Sequence, residues 1–156
     1  MIVAHSLTDQ EADDPSQVAP LLDQIDGEIA RVTADGAYDG SPIYETIAQY
    51  GADIDVVIPP RVTAVLSSEM GPPTRRDSHL QMIKERGRLG WQAAVDYGKR
   101  ALVETTMGRY KTLIGSRLRA RGFAAQQTEV AISVAVLNRM MAAGRPNSVR
   151  TPRATA

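Results

Sequence analysis

The sequence has no cysteine. A disulfide framework and a thiolate metal site are therefore excluded, which fits a cytosolic protein without requiring one. Its only two histidines, His5 and His79, have no cysteine beside them and do not suggest a zinc site. Aromatic residues make up 4%, so the core must be built from Val, Ile, Leu, Ala and Met. No run approaches the ~18 apolar residues that a membrane span needs. The opening MIVAHSLTDQ lacks the basic region and long apolar stretch of a signal peptide. GRLG (87–90) lacks the Gly-Lys-Ser/Thr ending of a phosphate-binding loop, and no spacing suggests a Ser–His–Asp set.

What is present fits one domain. The 156 residues are 43% hydrophobic and 23% charged, enough for a real core. The net charge is zero but segregated: residues 1–60 hold 12 Asp/Glu and one Lys/Arg, and residues 61–156 hold 17 Lys/Arg and 6 Asp/Glu. A basic half suggests a polyanion partner, and an acidic half beside it suggests carboxylates for a metal. The halves could equally neutralise each other in the fold.

MIVAHSL (1–7) reads as a strand. DDPSQVAPLLDQI (13–25) reads as a helix capped by Asp14, with Pro15 at its first position and Val18, Leu21, Leu22 and Ile25 at helical spacing. IARVTA (29–34) is a β-branched run typical of a buried strand, ended by the turn DGAYDG (35–40). SPIYETIAQYG (41–51) predicts a helix with Ser41 as cap and Gly51 just past its end. DIDVVIPP (53–60) predicts another strand, stopped by its prolines. The order β-α-β-α-β argues for parallel pairing with helices packed on the sheet. Function then gathers at the carboxyl ends of the strands, where Asp35 stands.

Residues 61–90 are rich in Arg, Gly, Pro and Ser and read as a basic insertion with a short helix at 77–86. Trp91 reads as a packing anchor. QQTEVAISVAVLNRMMAAG (126–144) predicts a core helix with Val130, Val134, Leu137 and Met141 on one stripe. The tail at 145–156 has the composition of a disordered segment.

YGKRALVETTMGRYK (97–111) predicts an amphipathic helix. At 100° per residue, Tyr97, Arg100, Glu104 and Lys111 fall within about 60° of one another. Leu102, Val103, Met107, Tyr110, Leu113 and Ile114 form an apolar face, predicted to be buried. Gly108 lies beside Glu104, at a cost of ~1 kcal/mol relative to Ala, which makes sense if a bulky ligand covers that face. A solvated helix with an Arg100–Glu104 pair explains the same pattern.

Tyr-x2-Arg-x3-Glu-x6-Lys, met by Tyr97, Arg100, Glu104 and Lys111, resembles the signature around the catalytic glutamate of bacterial insertion-sequence transposases of the DDE type. ADGAYDG (34–40) is similar to the segment holding that family's second catalytic aspartate. The likeness continues through VIPPR (57–61), RGRLGW (86–91), RLRARGFAAQQTE (117–129) and VLNRM (136–140). It implies an α/β, RNase H-like fold, a mixed sheet with flanking helices. It implies Mg²⁺ as cofactor, with Mn²⁺ as an alternative, and DNA at transposon ends as partner. The implied reaction is phosphoryl transfer: water attacks a phosphodiester, and the freed 3′-hydroxyl then attacks target DNA. Two Mg²⁺ ions roughly 3.5–4 Å apart serve such displacements. Asp35 and Glu104 would be catalytic metal ligands on different ions. Arg100 and Lys111 would hold phosphates, Tyr97 would position the strand, and Arg75, Arg76, Lys84, Arg86 and Arg88 would add phosphate contacts.

The family also uses a first aspartate on an earlier strand, ahead of the segment matching MIVAHSLTD. Asp14 reads as a helix cap, Asp9, Glu11 and Asp13 as a solvated loop, and Asp39 as a turn residue, so none of them replaces it. The expectation is a truncated catalytic domain over 1–144, lacking the first catalytic strand and an N-terminal DNA-end-binding region. Such a chain would have little strand-transfer activity alone. An open sheet edge would favour a homo-oligomer or mixing with full-length transposase. The alternative is a non-catalytic DNA-binding or inhibitory partner of that transposase. Either role belongs in the bacterial cytoplasm, at the nucleoid.

Overall fold

Two three-residue strands organise the first half of the chain. The computed structural model describes residues 1–9, 11–67 and 73–144; the tail at 145–156 lies outside them. Strand β1 (Arg31–Thr33) and strand β2 (Asp55–Val57) run parallel, with Val32 opposite Val56. Backbone bonds continue the ladder at both ends, from Asp55 N to Ala30 O and from Ala34 N to Val57 O. Arg31 faces Asp55 across the pair and binds its carboxylate at 2.6 Å, a favourable cross-strand match.

Helix α1 (Val18–Leu22) and helix α2 (Ser41–Tyr50) pack on this pair. Leu22, Ile43, Ile47, Ile54, Val56 and Ile58 form the core, with Val18, Ile25, Ile29 and Val32 against it. These are the apolar positions that the helical and strand periodicities select. The first helix begins as a 3-10 turn at Asp14–Gln17, whose cap position is Asp13 rather than Asp14, and no side chain caps it. Gly40, not Ser41, occupies the cap of α2, and Gly51 follows it in an extended conformation.

Residues 1–7 do not form the expected strand. A β-branched run becomes a strand only beside a partner, and here side chains satisfy the backbone instead. Asn138 accepts from Ile2 N (2.8 Å) and donates to Ile2 O (2.7 Å), while Gln24 accepts from His5 N (3.2 Å).

The basic segment is also more structured than its composition suggests. Helix α3 spans Arg75–Ala94, well beyond 77–86, with a break at Gly87 (φ 71°) that a glycine takes without strain. Thr74 and Asp77 form a reciprocal capping box at its start. Asp77 is buried and also accepts from Ser67 N (2.8 Å). The Ser67 and Thr74 hydrogen bonds hold its carboxyl down at about 2. His79 and Trp91 point inward, and Trp91 is fully buried, as a packing anchor should be.

Beyond α3 the chain reverses at Asp96 (φ 52°), enters a 3-10 turn at Tyr97–Arg100 and continues as helix α4 (Ala101–Leu113). Helix α5 (Phe123–Ala143) follows, burying Val134 and Leu137 as its stripe predicts. The apolar face of α4 is a correction. No residue of α4 is buried, and Leu102, Val103, Met107 and Leu113 are exposed. Gly108 lines the groove between α4 and α5 together with Thr105, Thr112 and Leu137. Among the described residues no helix is long and apolar enough to cross a membrane.

Candidate active site at the end of the parallel strands

Asp35 sits just past the carboxyl end of β1. It caps the 3-10 turn Gly36–Tyr38, with Oδ1 accepting from Ala37 N at 2.9 Å. The turn must pass close to the end of β2. A Cβ on Gly36 would lie 3.3 Å from Pro59 O, so glycine suits that position. Asp39 closes the turn from beneath. Its enclosed carboxylate accepts from Arg76 Nε (2.7 Å), Arg76 Nη2 (3.1 Å) and Arg61 N (2.9 Å). Burial pushes this carboxyl up, but the Arg76 and Arg61 hydrogen bonds and charges outweigh it and hold it below the usual range. The Arg61 guanidinium in turn reaches Ala37 O (3.1 Å) and Gly36 O (3.4 Å). Asp35 therefore stands on a clamped turn.

The opposite wall comes from the Tyr97–Arg100 turn, which a buried polar chain ties to β2. Trp91 Nε1 donates to His79 Nδ1 at 3.0 Å. That bond needs Nδ1 unprotonated, so the proton is on Nε2, which donates to Val56 O at 2.8 Å. The indole then stacks at a tilt on Tyr97, with ring centroids 5.3 Å apart. Three residues per turn place Arg100 directly over Tyr97. From there Arg100 Nη2 donates to Asp35 Oδ2 (3.1 Å) and Nη1 donates to Glu104 Oε1 (2.6 Å). Burial raises the Tyr97 hydroxyl pKa, Asp35 and Glu104 add to the rise, and Arg100 and Arg88 oppose it. Four charged residues from three separate segments thus act on the Tyr97 hydroxyl.

The transposase DDE domain model matches residues 1–139. The chain belongs to the transposase DDE domain family. The family acts in DNA transposition, binds DNA at transposon ends and generally uses divalent metal ions. No solved structure matches the chain.

In this transposase domain the structure brings Asp35, Glu104, Tyr97 and Arg100 together, with Arg88 within electrostatic reach. Arg88 also donates to Pro60 O at 3.1 Å. Lys84 and Arg86 are exposed on α3. Lys111 is exposed on α4, two turns and about 10 Å beyond Glu104. Arg75 and Arg76, expected at phosphates, are committed to protein acceptors. Arg75 donates to Ile54 O and Ala52 O, and Arg76 to Asp39 and Val65 O. Sequence reasoning did not assign Asp39, Arg61 and His79 their supporting roles. The only signal was the second aspartate of DGAYDG, which reads as an ordinary turn residue.

The donor set suits a hard cation. Asp35 Oδ2 and Glu104 Oε1 are carboxylate oxygens held by the two ends of one guanidinium, and Mg²⁺ is often held by one or two carboxylates with water completing its shell. Among the described residues no group of three His, Cys, Asp or Glu side chains stands ready for a metal.

Proposed function

We propose that this transposase domain uses Asp35 and Glu104 as metal-holding carboxylates for Mg²⁺-dependent cleavage and strand transfer at transposon ends, with Mn²⁺ able to substitute. The reading is carried by one observation: two carboxylates 69 positions apart in the sequence meet at the carboxyl end of the parallel strands, through Arg100. A divalent ion there would supply Lewis-acid activation of the phosphodiester. The protein's own residues do the rest. The clamped turn fixes Asp35, and the first turn of α4 fixes Glu104. Arg100 and Lys111 hold phosphates, with Lys84, Arg86 and Arg88 extending a salt-sensitive basic track. Tyr97, braced by Trp91, positions the strand.

The fold we assign is RNase H-like, with residues 1–144 as part of one catalytic domain and β1 and β2 as neighbouring strands of its sheet. A two-ion reaction takes a further carboxylate beyond Asp35 and Glu104. Pairing along an open strand edge would also support a homo-oligomer or association with full-length transposase. A DNA substrate would keep the protein at the bacterial nucleoid.

The test is a cleavage and binding assay on transposon-end duplex with Mg²⁺, mixing the chain with full-length transposase whose own Glu is inactivated. Cleavage restored by wild type and lost with Asp35→Ala and Glu104→Ala, with DNA binding retained, is the expected result. Restoration by both variants would sink the assignment.

A further inference from the structure

We propose that Arg100 is an internal counter-ion of the metal site. Its guanidinium holds Asp35 and Glu104 together in the metal-free protein and competes with the divalent ion for the same oxygens. The inference rests on reading those two carboxylates as metal ligands.

The geometry of the oxygens carries it. Asp35 Oδ1 is tied to Ala37 N, so Oδ2 is the oxygen an ion could take without loosening the turn. Arg100 Nη2 holds that oxygen at 3.1 Å, and Nη1 holds Glu104 Oε1 at 2.6 Å. One planar, permanently charged fork thus spans two carboxylates on separate elements, which a lysine's single ammonium could not do equally well. It also offsets the repulsion between them in the absence of metal.

The same arrangement opposes an incoming cation. With Arg100 in place the three side chains carry a net charge of −1; with it turned away the two carboxylates present −2. A divalent ion must therefore displace the guanidinium or bind against its repulsion. Displacement is feasible. The Arg100 side chain is 32% exposed, and among the described residues it donates to no third acceptor, unlike Arg76, which also holds Val65 O. Once released, it lies beside the site and is available to a phosphate. Metal loading and phosphate capture by Arg100 are then coupled, and the coupling is reciprocal.

The experiment is a Mn²⁺ titration by calorimetry of the whole chain as wild type, Arg100→Met, Arg100→Lys and Asp35→Asn. We expect Arg100→Met to bind Mn²⁺ about tenfold or more tighter than wild type. Adding Asp35→Asn should abolish the gain. Arg100→Lys, which keeps the charge but spans the carboxylates less well, should fall between, and it carries the comparison should Arg100→Met not fold. Equal affinity in wild type and the Arg100 variants, with binding still lost on Asp35→Asn, overturns the counter-ion and leaves the metal reading standing. No Asp35-dependent binding even in Arg100→Met overturns both.

Discussion

Asp39→Ala tests whether the turn that carries Asp35 depends on a buried ion pair. The Asp39 side chain is fully enclosed and that of Arg76 is only 15% exposed. Removing the carboxylate strands the guanidinium and leaves Arg61 N without its acceptor. Breaking a buried pair from one side costs about 3–5 kcal/mol. Arg76 keeps its bond to Val65 O and some access to water, so the lower end, about 3 kcal/mol, is expected. That is a large part of the roughly 5–15 kcal/mol typical of a domain. With a urea m value of about 1–3 kcal/mol/M, the midpoint should fall by about 1–3 M. Asp39→Ala combined with Arg76→Met should recover at least half of the loss, because no charge is left stranded.

The pH dependence has a defined sign. The folded carboxyl is depressed, so its contribution is present above the unfolded value of about 3.9 and is lost as pH falls through the folded value. The gap between wild type and Asp39→Ala should therefore narrow below about pH 4. A loss under about 1 kcal/mol for the single variant, or a double variant no better than the single one, would refute the reasoning.

Trp91→Phe keeps a ring against Tyr97 but removes the donor to His79 Nδ1, and should cost about 1–3 kcal/mol in a thermal melt; no change would mean that the buried chain to β2 is not a stabilising element. Asp77→Ala removes the capping box and the acceptor for Ser67 N, and should cost about 1–2 kcal/mol by urea unfolding. Because the folded Asp77 carboxyl sits at about 2, that difference should persist at pH 5 and disappear only as pH approaches 2. Each of Lys84→Ala, Arg86→Ala and Arg88→Ala should lower the slope of log affinity against log salt for duplex DNA by about 0.9 for each phosphate that is no longer neutralised. Arg75→Ala should leave that slope unchanged and lower stability instead; a slope change there would mean that its carbonyl bonds yield to DNA.

The sheet and one wall of the site were legible because their signals are local. The β-branched runs at 31–33 and 55–57, the turn at 35–40 and the helix at 41–50 each announce themselves in a few residues. The failures share a different cause. MIVAHSL has the right residues for a strand, but strand formation depends on a partner the run does not itself contain. Leu102, Val103 and Met107 show where an apolar face lies, but periodicity carries no information about what covers it. The 3-10 turn at 97–100 advances about 120° per residue rather than about 100°, so Tyr97 and Arg100 align more closely than an α-helical wheel allows. The burial of α3 was hidden because its inward residues, Asp77, His79 and Trp91, follow no apolar periodicity in a segment otherwise full of charge.

Among the described residues two ion pairs of the same kind bridge the segregated charges, differing in exposure. Asp39–Arg76 and Asp35–Arg100 both join the acidic half of the sequence to the basic half, and both are Asp–Arg contacts. The first has side chains 0% and 15% exposed, the second 42% and 32%. Breaking the enclosed pair from one side costs several kcal/mol, whereas a water-accessible pair contributes roughly 0–1 kcal/mol because solvent and salt screen it. A ligand can therefore take Asp35 from Arg100 at little cost, while the same exchange at Asp39 would unseat the turn beneath it. The short turn Gly36–Tyr38 between the two aspartates lets one carboxylate hold the backbone in place and leaves the other accessible to solvent.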